Sequence, residues 1–252
     1  RTSESNFKRN KLNNMEDAII NFNKQFDYEP AIRNAEKLKE KYEHFILCGM
    51  GGSHLSAGII KMQKPGIELY VHRDYDLPPY SEEFLSKSLL IASSHSGNTE
   101  EVLSFLRMAL EKGYDTAVIT TGGKLFEIAV DLQLPHVVIP DEDLEPRSAI
   151  GFSTLALAKI MGEEDLISVL KEVGKNLDSQ KLKAEGDSLA KSIGEKVPVI
   201  YTSNQNLAIA YNWKIKFNET GKTPSFYNLF PELNHNEMQG FADSKYSENF
   251  HF

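Results

Sequence analysis

"SLLIASSHSGNTEEVLSFLRMALEKG", residues 88–113, decides the fold. Its first six residues are of strand length and hold the unbroken apolar run "LLIA" (89–92). Its last eleven, "LSFLRMALEKG", carry apolar residues at helical spacing, and the link between them is short, small and polar. A strand without a polar face that turns directly into an amphipathic helix is the repeating unit of a parallel sheet covered by helices on both faces. The same unit recurs on either side. "FILC" (45–48) leads through a Gly-rich turn into a helix in "GMGGSHLSAGIIKMQ" (49–63), and "IELYVH" (67–72) is followed by the loop "RDYDLPPY" (73–80). "TAVIT" (116–120), a helix from Lys124 and "HVVIP" (136–140) complete five strands. Residues 15–42 read as helix interrupted at Pro30. The sequence therefore predicts a doubly wound α/β domain over residues 15–150, in αβα layers.

After "DEDLEPRSAI" (141–150) the alternation stops, and residues 151–196 carry helical periodicity throughout. This stretch is expected to be a helical connector. Strand, small polar turn and helix return in "VPVIYTSNQNLAIAYNWKIKFNE" (197–219), so residues 197–252 are expected to begin a second parallel-sheet domain of the same kind. "NFHF" (249–252) reads as the opening of a strand, which implies a second sheet that is incomplete at the C-terminus and has an exposed edge. Residues 1–14, "RTSESNFKRNKLNN", have no apolar period and precede Met15; they read as a polar tail or an expression remnant.

Composition narrows the function. With 40% hydrophobic and 25% charged residues the chain has the make-up of a globular protein. Its net charge of −8 argues against a nucleic-acid partner, because little would neutralise backbone phosphates. No apolar stretch approaches the ~20 residues that span a bilayer, so no membrane association and a cytoplasmic location are expected. A single cysteine, Cys48, excludes a disulfide framework; at the end of an apolar strand it is expected to be buried and inert. The seven histidines show no metal-ligand spacing, and neither turn has the GxxxxGK[ST] or GxGxxG pattern of a nucleotide site. No metal and no cofactor are expected.

Ligands of doubly wound sheets bind beyond the carboxyl ends of the strands. Two turns end there, "GMGGS" (49–53) and "SSHSGNT" (93–99). Glycine at Gly52 lets a ligand approach the backbone, a helix N-terminus presents unpaired N–H groups, and Ser53, Ser94, Ser96 and Thr99 add hydroxyls. One hydroxyl per helix would be explained as a cap. Four across two neighbouring turns exceed that need and point to a phosphate. His95 is set apart only by lying inside the turn. Arg147 follows four acidic residues in "DEDLEPR" (141–147), which a surface ion pair would explain. Glu219 closes a helix, an unfavourable place for an acid in the field of the helix dipole, although Lys222 is close enough to offset it. "ELNHNE" (232–237) sets His235 between two asparagines, which a helix cap would also explain.

The combination "GMGGS", "SSHSGNTEEV", "EPRSAIGFS", "KFNETGK" and "ELNHNE", in this order, resembles the bifunctional phosphoglucose/phosphomannose isomerases of the sugar isomerase (SIS) fold group, over nearly all of residues 15–252. That resemblance implies two SIS-type subdomains and an aldose–ketose isomerase that passes through an enediolate without a metal. It implies that Ser53, Ser94, Ser96 and Thr99, with the backbone near Gly52, hold the sugar phosphate. Glu219 would be the base that moves a proton between C1 and C2, and Arg147 the cation that stabilises the enediolate. His235 would assist ring opening from across a homodimer interface. A carboxylate lifted by burial suits such a base, and an always-protonated guanidinium suits such an oxyanion. The family continues beyond this stretch, with a lysine that shares the ring-opening role. Three rival readings share the turns: a non-catalytic phosphosugar-binding module, a truncated isomerase, and an isomerase for another sugar phosphate.

Overall fold

The structure, a computed structural model, describes residues 15–252; the tail expected over residues 1–14 lies outside them. Two compact units divide the chain, the first ending at Ser179 and the second beginning at Gln180.

The first unit is built on a sheet of five parallel strands: β1 (His44–Cys48), β2 (Leu69–His72), β3 (Ser88–Ser94), β4 (Thr116–Thr120) and β5 (His136–Val138), in the order β2-β1-β3-β4-β5. The order reverses between β1 and β3, the point at which doubly wound sheets open a crevice at their carboxyl edge. The apolar runs separate by alternation. Leu47, Leu89, Ile91, Ala117 and Ile119 face one layer, and Ile46, Cys48, Leu90, Ala92 and Val118 face the other. The second layer holds α2 (Glu82–Ser86, capped by the Ser81 hydroxyl), α3 (Glu100–Glu111) and α4 (Gly123–Asp131), which bring Leu85, Val102, Phe105, Leu106, Leu125 and Ala129 to the sheet.

The first layer holds α1 (Leu55–Gln63), α5 (Ile150–Ile160) and α6 (Glu164–Asn176). Here the structure differs from the connector expected over residues 151–196. Every residue of α5 except Lys159 is buried, and Phe152, Leu155, Ala156 and Leu157 belong to the same core as the sheet. A helix that is apolar all round has no face to give to water, so it becomes an inner layer and not a link. α6 buries Leu166, Ile167 and Leu170 in that core as well.

Residues 15–42 also depart from expectation. Helix is confined to residues 15–20, with short 3-10 turns at Phe22–Asp27 and Ala35–Lys37. Between the two turns the chain is extended and bridges the sheet edge, Arg33 exchanging main-chain hydrogen bonds with His136 at 2.8 and 3.1 Å. An edge strand with unpaired donors gave this segment better partners than a helix would have done.

The second unit contains all but the first residue of α7 (Ser179–Ile193), with β6 (Val197–Ser203), α8 (Leu207–Glu219), β7 (Phe226–Phe230) and β8 (Phe250–His251). Its strands form a parallel sheet in the order β7-β6-β8. No helix among the described residues is long and apolar enough to cross a membrane.

Candidate active site

β3 delivers the hydroxyl-rich turn to the carboxyl edge of the first sheet, and the turn is held by its own side chains. Ser94, 1% exposed, accepts from the Gly97 amide at 3.1 Å and lies 2.8 Å from the Thr99 hydroxyl and 3.5 Å from that of Ser96. Ser96 accepts from the Asn98 amide at 3.3 Å. Thr99 occupies the cap position of α3, yet its hydroxyl caps no amide of that helix; it joins the Ser94 network instead. The capping explanation of these hydroxyls therefore fails at Thr99. The α3 N-terminus opens directly onto the turn, which places its unpaired amides and partial positive charge beside the exposed Ser96.

Two neighbouring turns brace this one. Gly97 takes a left-handed φ of +68°, and a side chain there would strike Gly122 and approach Thr120 Oγ1 at 2.9 Å. The Gly97 carbonyl accepts from the Leu125 amide at 2.9 Å, and Asn98 Oδ1 from that of Lys124 at 3.2 Å. On the other side Ser53 accepts from the His95 amide at 3.1 Å, while its own carbonyl accepts from Ser93 Oγ at 3.0 Å. Ser53 thus joins "GMGGS" to "SSHSGNT" through its hydroxyl and its carbonyl.

Arg147 belongs to the same place. It lies in a 3-10 turn (Pro146–Ser148), is only 7% exposed, and has Glu145 Oε2 at 3.4 Å from Nη1. The ion pair with a preceding acid that would also explain it does form, with the half-exposed Glu145, but the guanidinium end of that pair is buried. Its main chain rests against Gly52: a Cβ on that glycine would meet the Arg147 nitrogen, with Pro146 C at 2.5 Å and Arg147 Cα at 2.9 Å. Gly52 is needed because this cation-bearing turn packs on it without space for a methyl group.

Sequence reasoning missed Gln25. Buried at 2% exposure, it donates to the Ser148 carbonyl at 2.7 Å and accepts from the Gly151 amide at 2.9 Å, fixing the turn that carries Arg147 from behind. A lone glutamine in a polar stretch gives no signal of this in the sequence. His54, next to Ser53, is also buried; burial and then the charge of Arg73 lower its imidazole to about 4. Cys48 is fully buried, and burial, then Glu101, raises its thiol to about 12, which leaves it protonated.

Glu219 and His235 lie in the second unit, and both are exposed in it, so the expected burial of Glu219 is not present there. Glu219 is the last residue of α8, and its carbonyl accepts from Lys222 Nζ at 2.5 Å, which satisfies one of the orphan carbonyls at that helix end. His235 closes the 3-10 turn Glu232–His235 that follows β7. Asn236 caps the next turn through the Glu237 amide at 2.5 Å, and Glu237 is itself held by Tyr201 Oη at 2.7 Å and by Asn228. Burial, then Glu237, raises the Tyr201 phenol, so it acts there as a donor.

Glu219 and His235 stand at opposite ends of their unit. α8 returns from the carboxyl end of β6 to the amino end of β7. At that end Asn218 Oδ1 accepts from the Ser225 amide at 2.9 Å, and Ser225 Oγ donates to the Pro198 carbonyl at 3.1 Å. His235 follows the carboxyl end of β7, whose five residues span about 13 Å.

Known proteins resemble this chain in sequence and in fold. The family profile "Bacterial phospho-glucose isomerase C-terminal SIS domain" matches residues 182–252. A bifunctional phosphoglucose/phosphomannose isomerase of Thermoplasma volcanium is 34% identical over 220 residues, covering 84% of this chain and 68% of the relative. One from Aquifex aeolicus is 30% identical over 241 residues, covering 92% of this chain and 71% of the relative. The chain thus spans about two thirds of the length of these relatives. Among solved structures, the tagatose-6-phosphate ketose/aldose isomerase of Escherichia coli superposes with a TM-score of 0.63 at 19% identity, covering 82% of this chain and 60% of that one, a likeness of fold.

Proposed function

Because the chain belongs to the bifunctional phosphoglucose/phosphomannose isomerase family, we propose that it interconverts glucose 6-phosphate, and with it mannose 6-phosphate, with fructose 6-phosphate. The observation that supports this reading is the packing of the Arg147 turn on Gly52, which sets the hydroxyl-rich turns and a buried guanidinium side by side in one unit. In this reading the phosphate sits against the α3 N-terminus, held by Ser53, Ser96 and Thr99, with Ser94 organising the hydroxyls from beneath. Glu219 takes the carbon-bound proton from C1 or C2 and returns it to the neighbouring carbon. Arg147 carries the negative charge of the enediolate between those two steps. His235 moves protons between O5 and O1 as the ring opens.

The position of His235 bears on assembly. Because Glu219 and His235 lie at opposite ends of the second unit, one sugar that meets both draws them from two copies of the chain. The working protein is then a homodimer in which each site borrows a histidine. The test is to mix two variants, Glu219→Gln and His235→Ala, each expected to convert no fructose 6-phosphate alone. After exchange of protomers, half of the dimers are mixed and each carries one intact site, so about a quarter of the wild-type rate should return. Mixtures as inactive as their components would contradict the shared site, and full activity of Glu219→Gln would remove the proposed base.

A further inference from the structure

The turn that presents His235 is tied down two residues to either side of it, at Leu233 and at Glu237. Leu233 is fully buried, whereas His235 is exposed. Glu237 reaches back to the second sheet, where Tyr201 Oη donates to its Oε1 at 2.7 Å and Asn228 Nδ2 donates to its Oε2. Tyr201 of β6 and Asn228 of β7 are register partners, so a single carboxylate spans both strands. The Asn228 amide is held in this orientation, because its Oδ1 accepts from the Leu229 amide at 2.8 Å. Tyr201 is set in turn by the rings of Phe230 and Phe252, whose centroids lie 6.0 and 5.5 Å from its own. Asn236 winds the chain between His235 and Glu237: its Oδ1 accepts from the Glu237 amide at 2.5 Å, and its Nδ2 donates to Glu232 Oε1 at 2.9 Å. Anchors that bracket one exposed imidazole hold its backbone from both sides, as precise placement of a reacting group demands.

We propose that Glu237, gripped by Tyr201 and Asn228, is a positioning residue that sets the His235 imidazole for opening of the sugar ring. This rests on the reading of His235 as the ring-opening group. Such a clamp acts on ring opening and leaves proton transfer in an already open sugar alone. A contact that served only the fold would affect both steps or neither.

Two substrates separate these cases. Glucose 6-phosphate is a closed pyranose and must open before C2 loses its proton; 5-deoxy-D-fructose 6-phosphate has no O5 to close a ring and enters open. The wild-type chain should isomerise the first and exchange the C1 proton of the second in D2O. Glu237→Gln turns an amide N–H toward Asn228 Nδ2. It should lower kcat/KM for glucose 6-phosphate by about tenfold and change exchange in the open sugar by less than about twofold. Asn228→Asp, which sets two carboxylates face to face, should do the same. Together the two substitutions again place a donor opposite an acceptor, and most of the loss should be recovered. Equal losses on both substrates, no selective loss, or additive losses in the double variant would overturn the inference. If those variants do not fold, Tyr201→Phe, which keeps the ring and removes the hydroxyl, decides by the same selective loss. His235→Ala should lose turnover of glucose 6-phosphate and keep the exchange. If it keeps both, the ring-opening reading falls and this inference with it; selective loss in His235→Ala without one in Glu237→Gln overturns the inference alone. A wild-type chain that acts on neither sugar overturns the isomerase reading and this inference together.

Discussion

Ser94 carries more of the cradle than any neighbouring side chain, because its hydroxyl alone meets Gly97, Ser96 and Thr99. Ser94→Ala leaves the buried Gly97 amide without that acceptor and frees the Thr99 hydroxyl, at a cost of about 1–2 kcal/mol. The expected outcome is roughly a tenfold loss of fructose 6-phosphate affinity by calorimetry with a small fall in melting temperature; unchanged affinity would mean the hydroxyls serve only the fold. Gly52→Ala should do more harm. Its methyl group would press on main-chain atoms of Pro146 and Arg147, which have no rotamer to yield, so a lower urea midpoint and loss of phosphate binding are expected together. His54 sets a pH dependence. Its imidazole stays neutral in the fold down to about 4 but takes a proton near 6.5 when unfolded, so the unfolded chain binds more protons between those values. The stability it contributes is complete above about pH 6.5 and is lost as pH falls toward about 4, by at most about 3 kcal/mol. Urea midpoints measured from pH 7 to pH 4.5 should therefore fall less steeply in His54→Gln than in the wild type, and parallel curves would contradict the assignment.

At the scale of elements, the support behind Arg147 comes from far away in sequence. Gln25 joins the first 3-10 turn to the Arg147 turn and α5 through two hydrogen bonds in a dry setting. Gln25→Ala removes both partners and should destabilise the first unit by about 2–4 kcal/mol, read as a shift in the chemical denaturation midpoint; a shift below about 0.5 kcal/mol would show that water replaces the amide. The strands were legible because "SLLIAS" and "TAVIT" have no polar face, and a continuous apolar run of that length has few other solutions. α5 was legible as a helix but not as a layer. The signal was present in "STLALAKI" (153–160), which lacks a polar stripe, and periodicity alone does not weigh that absence. Residues 28–42 misled for the opposite reason: their partners lie on the edge of β5, about a hundred residues later, and local pattern carries no trace of them. In the site, hydroxyl count and glycine spacing marked the two linked turns, whereas the role of Gln25 depends on contacts across more than a hundred residues.

At the scale of the whole molecule, the proposed roles divide between the two units. The first holds the cradle and Arg147; the second holds Glu219 and His235 at its two ends. That division suits a reaction in which the anion is fixed and protons are moved around it, and it makes proton transfer the step on which the account depends. The direct test is proton NMR of fructose 6-phosphate incubated with the chain in D2O, with Glu219→Gln alongside. The account predicts deuterium at C1 and the appearance of glucose 6-phosphate with the wild-type chain, and neither with the variant. Exchange that persists in Glu219→Gln, or a wild-type chain that binds fructose 6-phosphate and exchanges no proton, would contradict it.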